Sequence, residues 1–140
     1  MKKIAFIFML TMTLMCLGSG TGVAEAEDIY MGEYHDGSVA YLDTSSIRTT
    51  NEYTNGYHDG DTHRFSVKAV YDSNGTYENV FYEIYCGQTN SMTKNGQRVW
   101  QTIHSPDPHY LDNNPVEKNL IDYFNRLTSQ SWKNVPKRVR

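Results

Sequence analysis

Three consecutive stretches decide the fold. They are Arg64-Phe65-Ser66-Val67-Lys68-Ala69-Val70-Tyr71, then Asp72-Ser73-Asn74-Gly75, then Thr76-Tyr77-Glu78-Asn79-Val80-Phe81-Tyr82-Glu83-Ile84-Tyr85-Cys86-Gly87. In the first, Phe65, Val67, Ala69 and Tyr71 alternate with Arg64, Ser66 and Lys68. In the third, Val80, Tyr82, Ile84 and Cys86 alternate with Phe81, Glu83 and Tyr85. A period of two belongs to a strand with one face in a core and the other toward solvent. The polar tetrapeptide between them ends in Asn-Gly, which accepts the positive φ angles of a tight turn. Residues 64–71 and 76–87 are therefore predicted to pair as an antiparallel hairpin closed at 72–75.

The same punctuation recurs on both sides, at Asp36-Gly37, Asn55-Gly56, Asp59-Gly60 and Asn95-Gly96. It predicts a shorter first hairpin from residues 28–34 and 39–42, and a further strand over 99–104. Residues 49–53 are expected as an edge strand and 55–61 as a polar loop. Ser105-Pro106-Asp107-Pro108 is a connector, since proline cannot donate to a central ladder. One helix is signalled over 115–128. Asn114 stands at the cap, Pro115 at the first position, and Glu117 where a capping-box carboxylate reaches back. Val116, Leu120, Phe124 and Leu127 recur at helical spacing, and Ile121 widens the stripe. The fold class expected is α+β: an antiparallel sheet built from hairpins, with one C-terminal helix packed on a face.

Residues 1–26 read as a cleaved export signal. Lys2 and Lys3 precede an apolar run over 4–17 that is broken only by Thr11 and Thr13, and the segment ends Ala24-Glu25-Ala26. The run is shorter than the ~20 residues a spanning helix needs. Cys16 follows Met15 rather than a small residue, which disfavours lipid attachment. The expected mature chain is one domain over 27–132 with a basic tail over 133–140, working in a periplasm, at a cell surface or as a released protein. Loss of Lys2, Lys3 and Glu25 from 13 basic and 16 acidic residues leaves 11 and 15. Such a balance gives no basic face for nucleic acid. No second apolar run follows, so no transmembrane anchor is expected.

No catalytic motif stands out, and no cofactor is implied. The candidate metal ligands are His58, Asp61 and His63, inside His58-Asp59-Gly60-Asp61-Thr62-His63. Histidine and carboxylate suit a divalent ion, but fixed ligand spacing is absent and a polar hairpin tip accounts for the same residues. Cys86 is the sole cysteine after the signal. It shares the alternating face of Val80, Tyr82 and Ile84, which favours a buried inert thiol over a nucleophile or an interchain disulfide in a homodimer. In the tail, Lys133, Lys137, Arg138 and Arg140 offer attachment to an anionic surface polymer, against the alternative of a solvated terminus. Trp132 is expected to pack back onto the domain.

The segment Tyr41-Leu42-Asp43-Thr44-Ser45-Ser46-Ile47 carries a family resemblance. Together with Val67-Lys68, the Tyr82-to-Cys86 strand and the terminal helix, it resembles the surface-adhesin protein E family of exported bacterial domains. Tyr41, Asp43, Ser46, Ile47 and Cys86 match the pattern. Asp43 and Ser46 suit a turn in which short polar side chains bind nearby backbone, and Ile47 suits a core anchor. Some members pair the strand cysteine with one near the C-terminus, and here Cys86 has no such mate. The resemblance implies adhesion to extracellular proteins rather than catalysis. The alternatives are an envelope structural or assembly factor and, last, a small metal-binding or hydrolytic protein.

Overall fold

The computed structural model describes residues 27–131. Six strands run β1 (Asp28–Glu33), β2 (Val39–Thr54), β3 (Tyr57–Val70), β4 (Tyr77–Gly87), β5 (Asn90–Lys94) and β6 (Gln97–Gln101). They form one sheet in sequential order, every neighbouring pair antiparallel. A short helix α1 (Tyr110–Asn113) then leads into α2 (Pro115–Ser131), which lies across one face. The architecture is the expected α+β sheet with a C-terminal helix.

The deciding hairpin is β3–β4, with Phe65 opposite Tyr82 and Val67 opposite Val80. Tyr71 lies just outside it and is exposed, so the inward alternation ends at Ala69. Leu42, Phe65, Val67, Ile84 and Met92 from the sheet meet Val116, Leu120, Ile121 and Phe124 from α2. Phe124 is fully buried, stacked 4.3 Å from the Phe65 ring. Each such side chain contributes about 1.5–3 kcal/mol by leaving water. The helical stripe read from the sequence is the docking face.

Several expectations need correction. Residues 49–53 are not a separate edge strand but the outer half of β2, pairing with β3 as Thr49↔His63 and Asn51↔Asp61. Residues 55–61 are not a loop. Asn55 (φ 52°) and Gly56 (φ 83°) form a two-residue turn of the same kind as Asn95 (φ 49°) and Gly96 (φ 85°), and β3 starts at Tyr57. Asp59-Gly60 lies within that strand, across a register shift opposite Glu52 and Tyr53. A Cβ at Gly60 would stand 2.6 Å from the Cys86 carbonyl oxygen and 2.6 Å from the Tyr85 hydroxyl, so glycine serves close strand approach there rather than a turn.

The last strand is Gln97–Gln101 rather than 99–104, and the helix runs on to Ser131. The capping box does not form. The Asn114 side chain donates to the Tyr110 carbonyl (2.7 Å), and Glu117 is turned into the domain at 1% exposure, bound to Lys94. A cation on the sheet satisfies this carboxylate where the helix's own amide would have done so in a cap.

Candidate functional site

The sheet has a second face, and α2 does not cover it. Strand parity puts Arg64, Ser66, Lys68 and Val70 of β3 there, opposite Glu83, Phe81, Asn79 and Tyr77 of β4. From β1 and β2 it carries Tyr30 and Tyr41, because Ile29 and Leu42 point into the core. Val39, Tyr41 and Val70 bury one another as a small second cluster on this side. Tyr30 stands edge-on to Tyr41 with centroids 6.0 Å apart. Around that cluster lie exposed rings: Tyr30 at 51%, Tyr77 at 48% and Phe81 at 61%.

Charges interleave with the rings. Lys68 Nζ donates to both Asp28 carboxylate oxygens (3.0 and 3.2 Å) and sits 5.4 Å from the Tyr77 ring centroid. Arg64 Nε donates to Glu83 Oε2 at 2.8 Å, an exposed pair that adds little stability. Beside Phe81 a shallow, mainly apolar groove of about 450 Å³ runs past Arg48, Arg64, Glu83 and Thr93. An exposed phenylalanine amid charged groups is apolar surface that would gain by burial, with polar groups at its rim.

The residues that carry the resemblance build the sheet. Asp43 Oδ1 accepts from the Ser45 amide (3.1 Å) and the Ser45 hydroxyl (2.6 Å). Ser46 Oγ donates to the Asp43 carbonyl (2.6 Å) and accepts from the Ser66 amide (2.8 Å). These bonds hold the irregular stretch where β2 shifts register between Asp43 and Arg48. Ile47 packs against the main core, and Tyr41 is buried on the outer face.

Cys86 is 1% exposed. Burial pushes its thiol up to about 11, with a bond to Thr128 acting in the opposite sense. A thiol held that way is a poor nucleophile.

The three metal candidates do not converge. His58 Nε2 pairs with Asp61 Oδ1 at 2.8 Å, both side chains buried. His63 is spent at both nitrogens: Nδ1 bonds Thr49 Oγ1 at 2.8 Å and Nε2 bonds Thr128 Oγ1 at 2.7 Å. Among the described residues no group of three His, Cys, Asp or Glu side chains is placed to hold a metal. Residues 1–26, Trp132 and the tail cations Lys133, Lys137, Arg138 and Arg140 lie outside the described residues. Among those described, no helix is long and apolar enough to cross a membrane.

Sequence reasoning missed a polar cluster between α2 and the sheet. Glu117 Oε1 accepts from Lys94 Nζ (3.1 Å) and the Tyr110 hydroxyl (3.3 Å). The Tyr34 and Tyr82 hydroxyls share a hydrogen bond of 2.8 Å. Burial raises all three phenols well above the ordinary tyrosine range. One signal was available: Glu117, Ile121, Phe124 and Thr128 fall on one helical face, which places the carboxylate inward.

No family model, no curated protein and no solved structure matches the chain.

Proposed function

We propose that this protein is a non-catalytic binding module exported to the bacterial surface or envelope, adhesin-like, which grips an extracellular protein with the uncovered face of its sheet. The observation that carries this is Phe81, 61% exposed beside an open groove on the face opposite the helix. A small domain gains nothing in its own stability from a phenylalanine held out to solvent, whereas an aromatic anchor ringed by polar groups is how protein contacts are built. The resemblance of Tyr41-to-Ile47 and the Cys86 strand to surface adhesins points the same way. The buried, raised Cys86 thiol and the fully bonded His63 ring argue against a Cys–His nucleophile.

The test is site-specific photocrosslinking. A photoreactive phenylalanine analogue replaces Phe81 in one preparation and the helix residue Asp122, exposed on the opposite side, in another. Each is exposed to an immobilised extracellular-matrix extract. Crosslinks to one protein band from position 81, and none from 122, are expected. Equal crosslinking from both positions, or from 122 alone, removes the proposal.

A further inference from the structure

We infer that the groove beside Phe81 takes an acidic segment of a partner protein, a carboxylate side chain flanked by apolar ones. This rests on the binding-module reading and names the chemistry its partner presents. The groove holds about 450 Å³, within the roughly 300–1,000 Å³ of ligand sites.

Strand register sets the charges. Arg48 lies opposite Arg64, Arg64 opposite Glu83, Glu83 opposite Thr93, and Thr93 opposite Arg98. One row across the sheet thus carries three guanidinium groups and one carboxylate. Like charges directly opposite on neighbouring strands cost stability, and Glu83 answers Arg64 alone, at its Nε. Arg48 and Arg98 meet no carboxylate among the described residues. The Arg64 and Glu83 side chains are 53% and 46% exposed, and Arg48 is exposed too, so a partner reaches the row freely. An incoming carboxylate complements the cationic excess that the fold leaves unanswered.

The two contact groups are held in place. Arg48 Nη1 donates to the Ser45 and Ile47 carbonyls, both at 2.9 Å. These bonds fix the guanidinium and leave its Nε–Nη2 edge unbonded among the described residues. That edge is a fork, and it matches a carboxylate through two parallel hydrogen bonds. Asn95 clamps the backbone of Phe81: its Oδ1 accepts from the Phe81 amide (2.9 Å), and its amide donates to the Phe81 carbonyl (2.7 Å). A ring on a fixed backbone has less freedom to lose on binding.

A sulfated polysaccharide would also answer cations, but it brings little apolar surface to a mainly apolar groove walled by an exposed phenylalanine. The chain is also acidic overall, with 16 Asp and Glu against 13 Lys and Arg, a balance that opposes a polyanion. One carboxylate between apolar side chains gains from both features of the groove. The ring supplies most of the affinity, and the row of charges selects the partner.

The probes are acetyl-Leu-Glu-Phe amide and its neutral analogue acetyl-Leu-Gln-Phe amide, titrated into the isotopically labelled protein at equal ionic strength and followed by two-dimensional NMR. Saturating shifts at the amides of Arg48, Arg64 and Phe81 are expected with both. The glutamine peptide should bind about fivefold more weakly, the upper end for an exposed ion pair. Arg48→Gln should bring the glutamate peptide down to the level of the glutamine one. Glu83→Gln, which alters only an exposed pair, should tighten the glutamate peptide and leave the other unchanged. Equal affinity for the two peptides, with Phe81 still shifting, overturns the acidic specificity and leaves the binding-module reading standing. No shift at Phe81 with either peptide goes against both. Should Arg48→Gln fail to fold, Glu83→Gln decides: no gain for the glutamate peptide is contrary. A heparin-derived tetrasaccharide that saturates the same amides at lower concentration than the glutamate peptide assigns the groove to a sulfated polymer and overturns the inference.

Discussion

His63 on β3 and Thr128 on α2, 65 positions apart, are joined by a buried hydrogen bond of 2.7 Å from ring Nε2 to hydroxyl. Thr49 holds the other ring nitrogen at 2.8 Å, and Phe124 lies against the ring with centroids 4.8 Å apart. The helix is thus fastened to the sheet by a polar bolt next to its largest apolar contact. Burial pushes His63 below the ordinary histidine value of 6.5, with Asp61 acting the other way.

That direction fixes a pH dependence. The unfolded chain takes up a proton near pH 6.5 that the folded His63 resists. Folding stability from this group is complete above that value and is lost as pH falls below it, toward the lower folded pKa. Urea unfolding at about pH 7.5 and about pH 5.5, above the range where most carboxylates titrate, should show the loss. His63→Gln should flatten the slope between the two. Equal slopes in both proteins contradict the role given to His63.

Phe124→Ala should destabilise by about 3–5 kcal/mol, the usual cost of emptying a fully buried aromatic site. Phe124 is 0% exposed and stacks on Phe65 in the middle of the docking stripe. Denaturant titration with an unchanged m-value measures this. A loss below about 1 kcal/mol would mean that the helix does not dock through this face.

Cys86 should react slowly with thiol reagents in the native protein and quickly in denaturant, because burial both blocks access and pushes the thiol up to about 11. Raising the pH to about 9 should speed native labelling little, since the thiolate remains a minor species. Rapid native labelling, or a dimer that separates on reduction, contradicts this.

Lys94→Met leaves the buried Glu117 carboxylate with only the Tyr110 hydroxyl, and because Lys94 is 29% exposed the loss should fall below the roughly 3–5 kcal/mol of a fully buried pair. The double substitution Lys94→Met with Glu117→Leu should recover most of that loss, because neither charge then has to be desolvated. Thermal unfolding of the two variants gives the comparison. If the double variant is no more stable than Lys94→Met alone, the ion pair is not the source of the loss.

The parts legible in the sequence were those whose signal is local. Residues 64–87 state their hairpin through apolar alternation, and Val116, Leu120 and Phe124 state the helix face. The sequence reads 49–53 as a separate edge strand and 55–61 as loop because the inward positions of outer β3 are polar: Asp61 is satisfied by His58, and His63 by Thr49 and Thr128. Alternation of apolar residues cannot reveal positions that are buried through pairing. Glu117 was read as a cap for a related reason, since Lys94 lies on a strand 23 residues earlier and spacing along the helix does not show it. The outer face was half visible. Phe81 has the opposite parity to Val80 and Tyr82, yet the burial of Tyr41 on that side depends on Val39 and Val70 closing over it.

The most direct measurement compares retention on an immobilised extracellular-matrix extract for three proteins: the unsubstituted chain, a Phe81→Ser/Tyr77→Ser variant, and a truncation lacking residues 133–140. Both substituted rings are already exposed, so unfolding free energy should hold within the small range typical of surface changes, about 0.5 kcal/mol. Contact through an apolar face is screened little by salt, whereas attraction between solvated charges fades beyond about 8 Å at physiological ionic strength. The account predicts retention that survives truncation and high salt and is lost in the Phe81/Tyr77 variant. Retention that survives the ring substitutions but disappears with the tail or with salt would contradict it.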